Sequence, residues 1–414
     1  MDANTNWQLR SLYVVGFANS LGTITLLTLL PTYIDLLEPS GIVIGLFITG
    51  LTAAQAVAVI PFGWAGDRYD KRAILLGAMS ICVLAYVLFA FVSTSMEFVS
   101  VRVVQGLGVV GVGLLSLSLV GELAQRGTRG NTIGKYNAWK LAAGMLGTIG
   151  AGAIFDWYGF GPVFGILVVL FVLALFSTWF VTEPDSSRVS FSYGTLALNK
   201  RILTIASFRT QYAFAVTLVR NWVPIFVGVS AVQGGLGLAA LAVGIVIATE
   251  RFTNMIFQPF TGRLSDYSGR AVFVVCGGGV YGVLALGFAY VAATGHTLGF
   301  GTSVPVLGEL PGAFFVAVVL NAGLGIADAF REPASMALFA DEGTAQGGVA
   351  SSFGIRNLLW QPGTVIAPLI GGVLMTTIGI DAVFALAGAF AVSGALTMFG
   401  ILVIRHGRSE AFQW

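Results

Sequence analysis

Apolar runs of about 20 residues recur from one end of the chain to the other, each closed by a short polar or charged break. None alternates apolar with polar at every second residue, so a membrane β-barrel is excluded. A run of that length crosses a hydrocarbon core as a helix. Taken in order, the runs predict twelve spans, at 10–36, 41–62, 73–94, 97–121, 131–155, 160–181, 207–230, 237–258, 271–293, 312–338, 349–376 and 380–404. The expected fold class is an all-α integral membrane protein with twelve transmembrane helices.

The breaks carry an internal repeat. Gly63-Trp64-Ala65-Gly66-Asp67-Arg68-Tyr69-Asp70-Lys71-Arg72 separates spans two and three, and a degenerate copy, Gly262 to Arg270, separates spans eight and nine. Gly63 to Gly262 and Asp67 to Asp266 are each 199 residues apart. Gly152, Gly159 and Phe164 return 220 residues later as Gly372, Gly379 and Phe384. The Gly- and Pro-rich stretch from Ala293 to Pro311 accounts for the longer offset. The only other extended polar segment is the Ser-rich run Asp185–Lys200. The domain plan read from these marks is a six-helix bundle over 1–182, a linker over 183–201 and a second six-helix bundle over 202–414, pseudo-symmetric with the first.

Composition agrees with lipid as the main solvent: 56% of the 414 residues are hydrophobic and 10% charged, where a soluble domain carries about a quarter charged. The few charges fix an orientation. Arg68, Lys71, Arg72, Arg126, Arg129, Arg188, Lys200, Arg201, Arg263, Arg270, Arg405 and Arg408 fall on the side of both termini, while the opposite loops hold Glu38, Glu97, Asp156, Glu309 and Asp381 and no Lys or Arg. The positive-inside rule then places both termini in the cytoplasm of a multi-pass cell-membrane protein. The net charge of +2 is a topology signal and no sign of nucleic-acid binding. Residues 1–8 are polar and lead into a full-length span, which argues against a cleaved signal segment. Cys82 and Cys276 lie within spans and read as buried thiols. His296 and His406 sit in an outer loop and the C-terminal tail, and no metal-ligating spacing or nucleotide-binding loop is present. No metal, cofactor, catalytic set or ATP drive is expected.

The turn Gly63–Arg72, its copy Gly262–Arg270 and the sequence Arg102-Val103-Val104-Gln105-Gly106-Leu107-Gly108 in span four resemble those of the major facilitator superfamily. The resemblance covers essentially the whole chain and is closest in pattern to proton-coupled exporters of drugs and organic solutes. It implies a cytoplasmic latch in which Gly63 allows close helix approach, Asp67 binds helix-end donors and cations, and Arg68 or Arg72 meets Glu122 at the end of span four. In the second copy Gly262, Asp266 and Arg270 would work with Asp341 or Glu342. That latch is expected to be weaker, because Tyr267 stands where the first copy has Arg68. For Arg102 the resemblance implies proton coupling, with a structural arginine bound by Gln105 as the alternative. Spans one, four, seven and ten line the cavity in this superfamily, which places Arg220 near the centre.

Nine ionisable residues lie at least five residues inside a predicted span: Arg102, Lys140, Arg220, Glu250, Arg251, Asp328, Arg331, Glu332 and Arg356. Each costs roughly 3 kcal/mol at the bilayer centre unless it faces protein, water or a partner. Asp328, Arg331 and Glu332 share one helix face at i, i+3 and i+4, where an ion pair can form. Glu250 and Arg251 are adjacent and must point in different directions. Arg220, followed by Asn221 and Trp222, reads either as a recognition group for a carboxylate or phosphate or as the partner of Glu250 or Asp328. Lys140 stands beside Trp139 with no acid in its own helix. A structural charge network joining spans eight, ten and eleven through Arg356 and a coupling site with Asp328 or Glu332 as proton acceptor are both open.

Cations in the spans outnumber acids six to three. An anionic or zwitterionic small-molecule substrate is therefore expected, with the proton as coupling ion. The function expected is a secondary active transporter of a small organic solute by alternating access, proton-coupled and directed outward, acting as a monomer. A carrier of organic anions or phosphorylated solutes is the alternative, and a polytopic protein that transports nothing is the remote one.

Overall fold

A computed structural model of the chain describes residues 3–124, 129–181, 200–305, 307–345, 356 and 358–411; side chains at 3, 4, 129–131, 181, 200–202, 266, 340, 342–345 and 406–411 fall outside that description. Fourteen α-helices are present among the described residues. They are α1 (Ala3–Thr28), α2 (Leu30–Leu37), α3 (Gly41–Arg68), α4 (Lys71–Phe89), α5 (Ser95–Leu123), α6 (Arg129–Tyr158), α7 (Phe160–Val181), α8 (Lys200–Gly228), α9 (Ala240–Ser268), α10 (Arg270–Phe288), α11 (Val291–Leu298), α12 (Gly312–Ala345), α13 (Gln361–Thr377) and α14 (Ile380–Ala411). Ten are long and apolar enough to cross a membrane. Of the other predicted spans, α8 is less apolar because Arg209, Gln211, Arg220 and Asn221 interrupt it. The N-terminal part of the span expected at 349–376 lies largely outside the described residues, and α13 covers 17 residues of the remainder.

Local chemistry sets the boundaries. The first predicted span is two helices, because Pro31 in the first turn of α2 has no N–H to continue the ladder and its ring opposes the preceding turn. Asp70 caps α4 by accepting from the Arg72 backbone N–H at 3.0 Å. Thr94 and Glu97 form a capping box at the start of α5. Gly159 and Gly379 have φ of 75° and 132° at the α6–α7 and α13–α14 corners. Those positive angles give the repeated glycine its physical reason.

The expectation of a purely helical chain has one exception. The insertion before α12 ends in a hairpin, β1 (Gly301–Val304) paired antiparallel with β2 (Gly308–Pro311), with Thr302 opposite Leu310. A short Gly-rich loop between apolar spans gave no alternating pattern long enough to announce it.

Two compact units divide the chain: Met1–Pro39 with Leu46–Ser192, and Ser40–Gly45 with Tyr193–Trp414. In the first, α1 packs on α5, α6 and α7, and α4 on α5 and α7. A Cβ at Gly106 would lie 2.5 Å from the Leu51 carbonyl oxygen, so α3 and α5 touch through backbone. Phe89, Phe98, Phe164 and Tyr33 form a buried ring cluster, with Phe89 stacked on Phe164 at 5.5 Å. In the second unit α9 packs on α12, α10 on α12 and α14, and α8 on α13 and α14. Phe384, the repeat partner of Phe164, stacks on Phe288 at 5.1 Å. Of the two cysteines, Cys82 is buried as expected, but Cys276 is exposed on the outer face of α10.

Candidate functional site

The site forms inside the second unit. Arg209 and Arg220 on α8 are eleven residues apart, about three turns of 3.6 residues, so they share a face. Asp328, Arg331 and Glu332 lie on the facing stripe of α12. Glu250 on α9 joins them because α9 and α12 press together at Gly325, where any Cβ would collide with the Glu250 carbonyl oxygen and the Thr253 hydroxyl. The missing side chain brings both acids within reach of one guanidinium.

Arg220 takes that position. Its Nε donates to Glu250 Oε1 at 2.9 Å and its Nη2 to Asp328 Oδ2 at 3.0 Å. Arg331 donates through Nε and Nη2 to Asp328 Oδ1 at 2.9 and 2.6 Å and also pairs with Glu332. Glu332 in turn pairs with Arg356. The sequence of contacts is therefore Arg356, Glu332, Arg331, Asp328, Arg220, Glu250: three cations and three acids in strict alternation. Desolvation makes an isolated charge here costly, and alternation removes that cost at every interior member. Tyr212 adds a hydroxyl donated to Asp328 Oδ1 at 3.0 Å, and its ring lies under the Arg331 guanidinium at 4.3 Å.

Arg220, Asp328, Arg331, Glu332 and Arg356, with Arg209 and Trp360, line a cavity of about 330 Å³. The volume suits a small organic molecule or one polar end of a larger one. Arg220 keeps 42% of its side chain exposed while Asp328 and Arg331 keep 5% and 3%. The arginine that bridges the helices is thus also the ladder member most open to a visitor.

The structure separates the residues that sequence reasoning grouped together. Arg220 is paired, on both sides, and is not a bare recognition group. Asn221 donates back to the Thr217 carbonyl at 2.7 Å within its own helix. Trp222 is fully buried against Gly371 and does not line the cavity, since the residue after a cavity-facing pair rotates into the packed side of α8. Glu250 faces Arg220, whereas Arg251 points elsewhere and forms no ion pair among the described residues. Arg356 joins through Glu332. In the first unit, Lys140 lies 5.6 Å from the Tyr136 ring centre, with no carboxylate in ion-pair range among the described residues. Arg102 is buried, donating from Nε to the Phe47 carbonyl at 2.8 Å and from Nη1 to Gln105 Oε1 at 2.8 Å. Gln105 reaches the Tyr86 hydroxyl at 3.3 Å, so the geometry around Arg102 is that of a structural tie between α3, α4 and α5.

The charged turn is wired differently from the expectation. Lys71, not Arg68 or Arg72, meets Glu122, with Nζ to Oε1 at 2.9 Å. Arg68 lies over the Trp64 ring, and Arg72 over Trp179 while donating to the Trp179 carbonyl. The reason is rotation. Lys71 opens α4 on its buried side, and the neighbouring arginines face tryptophans. Asp70 supplies the cap expected of Asp67, which forms no hydrogen bond or ion pair among the described residues. At Gly63 a Cβ would meet only a Leu114 methyl at 3.8 Å, so close approach does not depend on that glycine; at Gly66 it would meet Leu115 at 2.8 Å. In the second turn Arg270 pairs with Asp341, and a Cβ at Gly262 would lie 3.4 Å from Pro333. The side chains of Asp266 and Glu342 lie outside the described residues.

Sequence reasoning missed Arg209, Tyr212 and Trp360. Arg209 stood only two residues inside the predicted span 207–230 and passed for a boundary charge. Its spacing from Arg220 was the signal that could have found it.

Comparison with known proteins bears on the whole chain. The sequence pattern of the Major Facilitator Superfamily matches residues 12–308 and again 212–413. An uncharacterized MFS-type transporter of Methanocaldococcus jannaschii is 23% identical over 301 residues, covering 69% of this chain and 74% of that protein. The multidrug resistance protein MdtG of Citrobacter koseri is 23% identical over 386 residues, covering 90% of this chain and 88% of its own. Among solved structures, a variant of the nucleoside transporter NupG shares the fold with a TM-score of 0.74 at 14% identity, over 95% of this chain and 99% of that one.

Proposed function

The chain belongs to the Major Facilitator Superfamily, and on that premise we propose that it is a proton-coupled transporter that expels a small organic solute by alternating access. It works as a monomer in the cell membrane with both termini in the cytoplasm. The superfamily and the matched relatives are transporters, which supports the reading of this chain as a multi-pass membrane transporter rather than an enzyme. The multidrug resistance protein among the relatives supports outward transport.

The observation that carries the coupling is Arg220 held between Glu250 and Asp328. Protonating Asp328 removes the charge that Arg220 and Arg331 share. The bridge from α8 to α12 then loosens, and Arg220 turns toward the cavity it already half faces. Deprotonation restores the bridge. A carboxylate shared by two arginines is thus a device that converts one proton into a change of helix contact. The second reading, a carrier of organic or phosphorylated anions, is supported by Arg209, the cavity cation that the ladder leaves over.

The test is flux of a compound panel in proteoliposomes under an imposed pH gradient, with wild type compared with Asp328→Asn. Wild-type flux is expected to follow the gradient and the variant to lose that dependence. Flux in wild type that ignores the gradient refutes proton coupling.

A further inference from the structure

We propose that Arg209 is the receptor for the negatively charged group of the solute, a carboxylate or a phosphate. The inference deepens the transport reading and rests on it only in taking the bound species to be cargo.

Three arginines and three acids neutralise one another in the ladder, and Arg209 is no part of it. It is nevertheless buried, with 4% of its surface exposed. Among the described residues no carboxylate lies within ion-pair distance of it. Its Nε is occupied, donating to the Arg356 carbonyl at 2.7 Å. Its Nη1 is buried and has no hydrogen-bond partner. A buried guanidinium nitrogen without an acceptor costs free energy that a bound acceptor recovers.

The side chain is also held in place. The Trp360 ring lies 4.7 Å from its central carbon and Phe339 lies 5.9 Å away. Together with the Nε bond these contacts fix the plane of the fork at the wall of the 330 Å³ cavity that Arg209 lines. A fixed guanidinium whose Nη1 lacks a partner suits an oxygen of a carboxylate or phosphate. Arg251, another cation of this unit without an ion pair among the described residues, does not line this cavity. It supplies the control. Arg356, Arg331 and Arg220 also line it, but each already pairs with a carboxylate.

The experiment measures binding of benzoate, phenyl phosphate and their uncharged isostere benzamide to the full chain in phosphatidylcholine nanodiscs by quenching of tryptophan fluorescence. Wild type is expected to bind the anions at least about tenfold more tightly than benzamide. Arg209→Gln should abolish that preference, Arg209→Lys should restore part of it, and Arg251→Gln should leave it unchanged. Equal binding of anion and amide by wild type overturns the proposal without any variant, as does a preference that survives in a folded Arg209→Gln. Repeating the series with phosphatidylglycerol in the disc separates cargo from headgroup: a preference indifferent to the lipid supports the solute anion, and one that disappears assigns the site to a lipid phosphate and overturns it. Flux of a test compound under a pH gradient is read in parallel. Gradient-driven flux without anion preference defeats this inference alone, and anion preference without flux defeats the transport reading alone.

Discussion

Arg220 and Asp328 meet at 3.0 Å, Nη2 to Oδ2, across a gap of 108 residues in the chain. The same guanidinium reaches Glu250 through a different nitrogen, Nε, and the bridge therefore needs two separated N–H groups in one plane. A lysine has the charge but not the fork. Arg220→Lys is expected to reduce proteoliposome flux by about tenfold or more while leaving the protein folded. Flux equal to wild type would show that charge alone suffices.

Removing one ladder member leaves its neighbour stranded. Asp328→Asn exposes Arg331 to an interior with only Glu332 as counter-ion, and breaking a buried pair in this way costs about 3–5 kcal/mol. The thermal midpoint in detergent should fall clearly. Adding Arg331→Gln to Asp328→Asn removes one charge of each sign and should recover most of the loss. A double variant no more stable than the single one would mean that packing, not charge, sets the midpoint.

Lys71 and Glu122 tie the start of α4 to the end of α5, and Glu122 is 31% exposed, so solvent screens the pair. Its worth to stability is about 1 kcal/mol or less. Lys71→Ala should nonetheless change the transport rate, Arg68→Ala should not, and the exchange Lys71→Glu with Glu122→Lys should restore it. Rates measured for the four proteins in liposomes decide the matter.

Gly325 sets the distance between α9 and α12. Gly325→Ala must move one backbone away from the other, because the Glu250 backbone carbonyl stands in the way together with the Thr253 hydroxyl. The expected cost is about 1–3 kcal/mol in stability. Coupling should suffer more than binding, since Glu250 leaves Arg220 while Arg209 stays where it is. The ratio of pH-driven flux to benzoate affinity reads out the difference.

Much of this was legible in the sequence. The helical membrane fold, the repeated corner glycines Gly159 and Gly379, and the one-face arrangement of Asp328, Arg331 and Glu332 follow from run length, repeats and the 3.6-residue period. Which cation meets Glu122 did not, because Arg68, Lys71 and Arg72 lie within five residues and a rotation of one helix start chooses among them. Arg220 could be read as paired or bare, and only the approach of α9 to α12 at Gly325 decides between them. The break at Pro31 was written in the chain but outweighed by the continuity of the apolar run around it. Arg209 was hidden by the uncertainty of a span edge. Trp222 looked like a recognition residue from its neighbours, yet one residue of helical phase is enough to take a side chain out of a cavity.

The placement of the ladder's acids also bears on how the molecule is made. Glu250 lies 30 residues and Asp328 108 residues downstream of Arg220, on α9 and α12. A ribosome delivers α8, with Arg209 and Arg220 in its midst, before either counter-charge has been synthesised. That helix is too polar to be held by lipid on its own terms, so its lasting insertion waits for later helices to arrive. Biogenesis of this half is therefore obliged to be concerted, and truncation before α12 should leave α8 poorly retained in the bilayer.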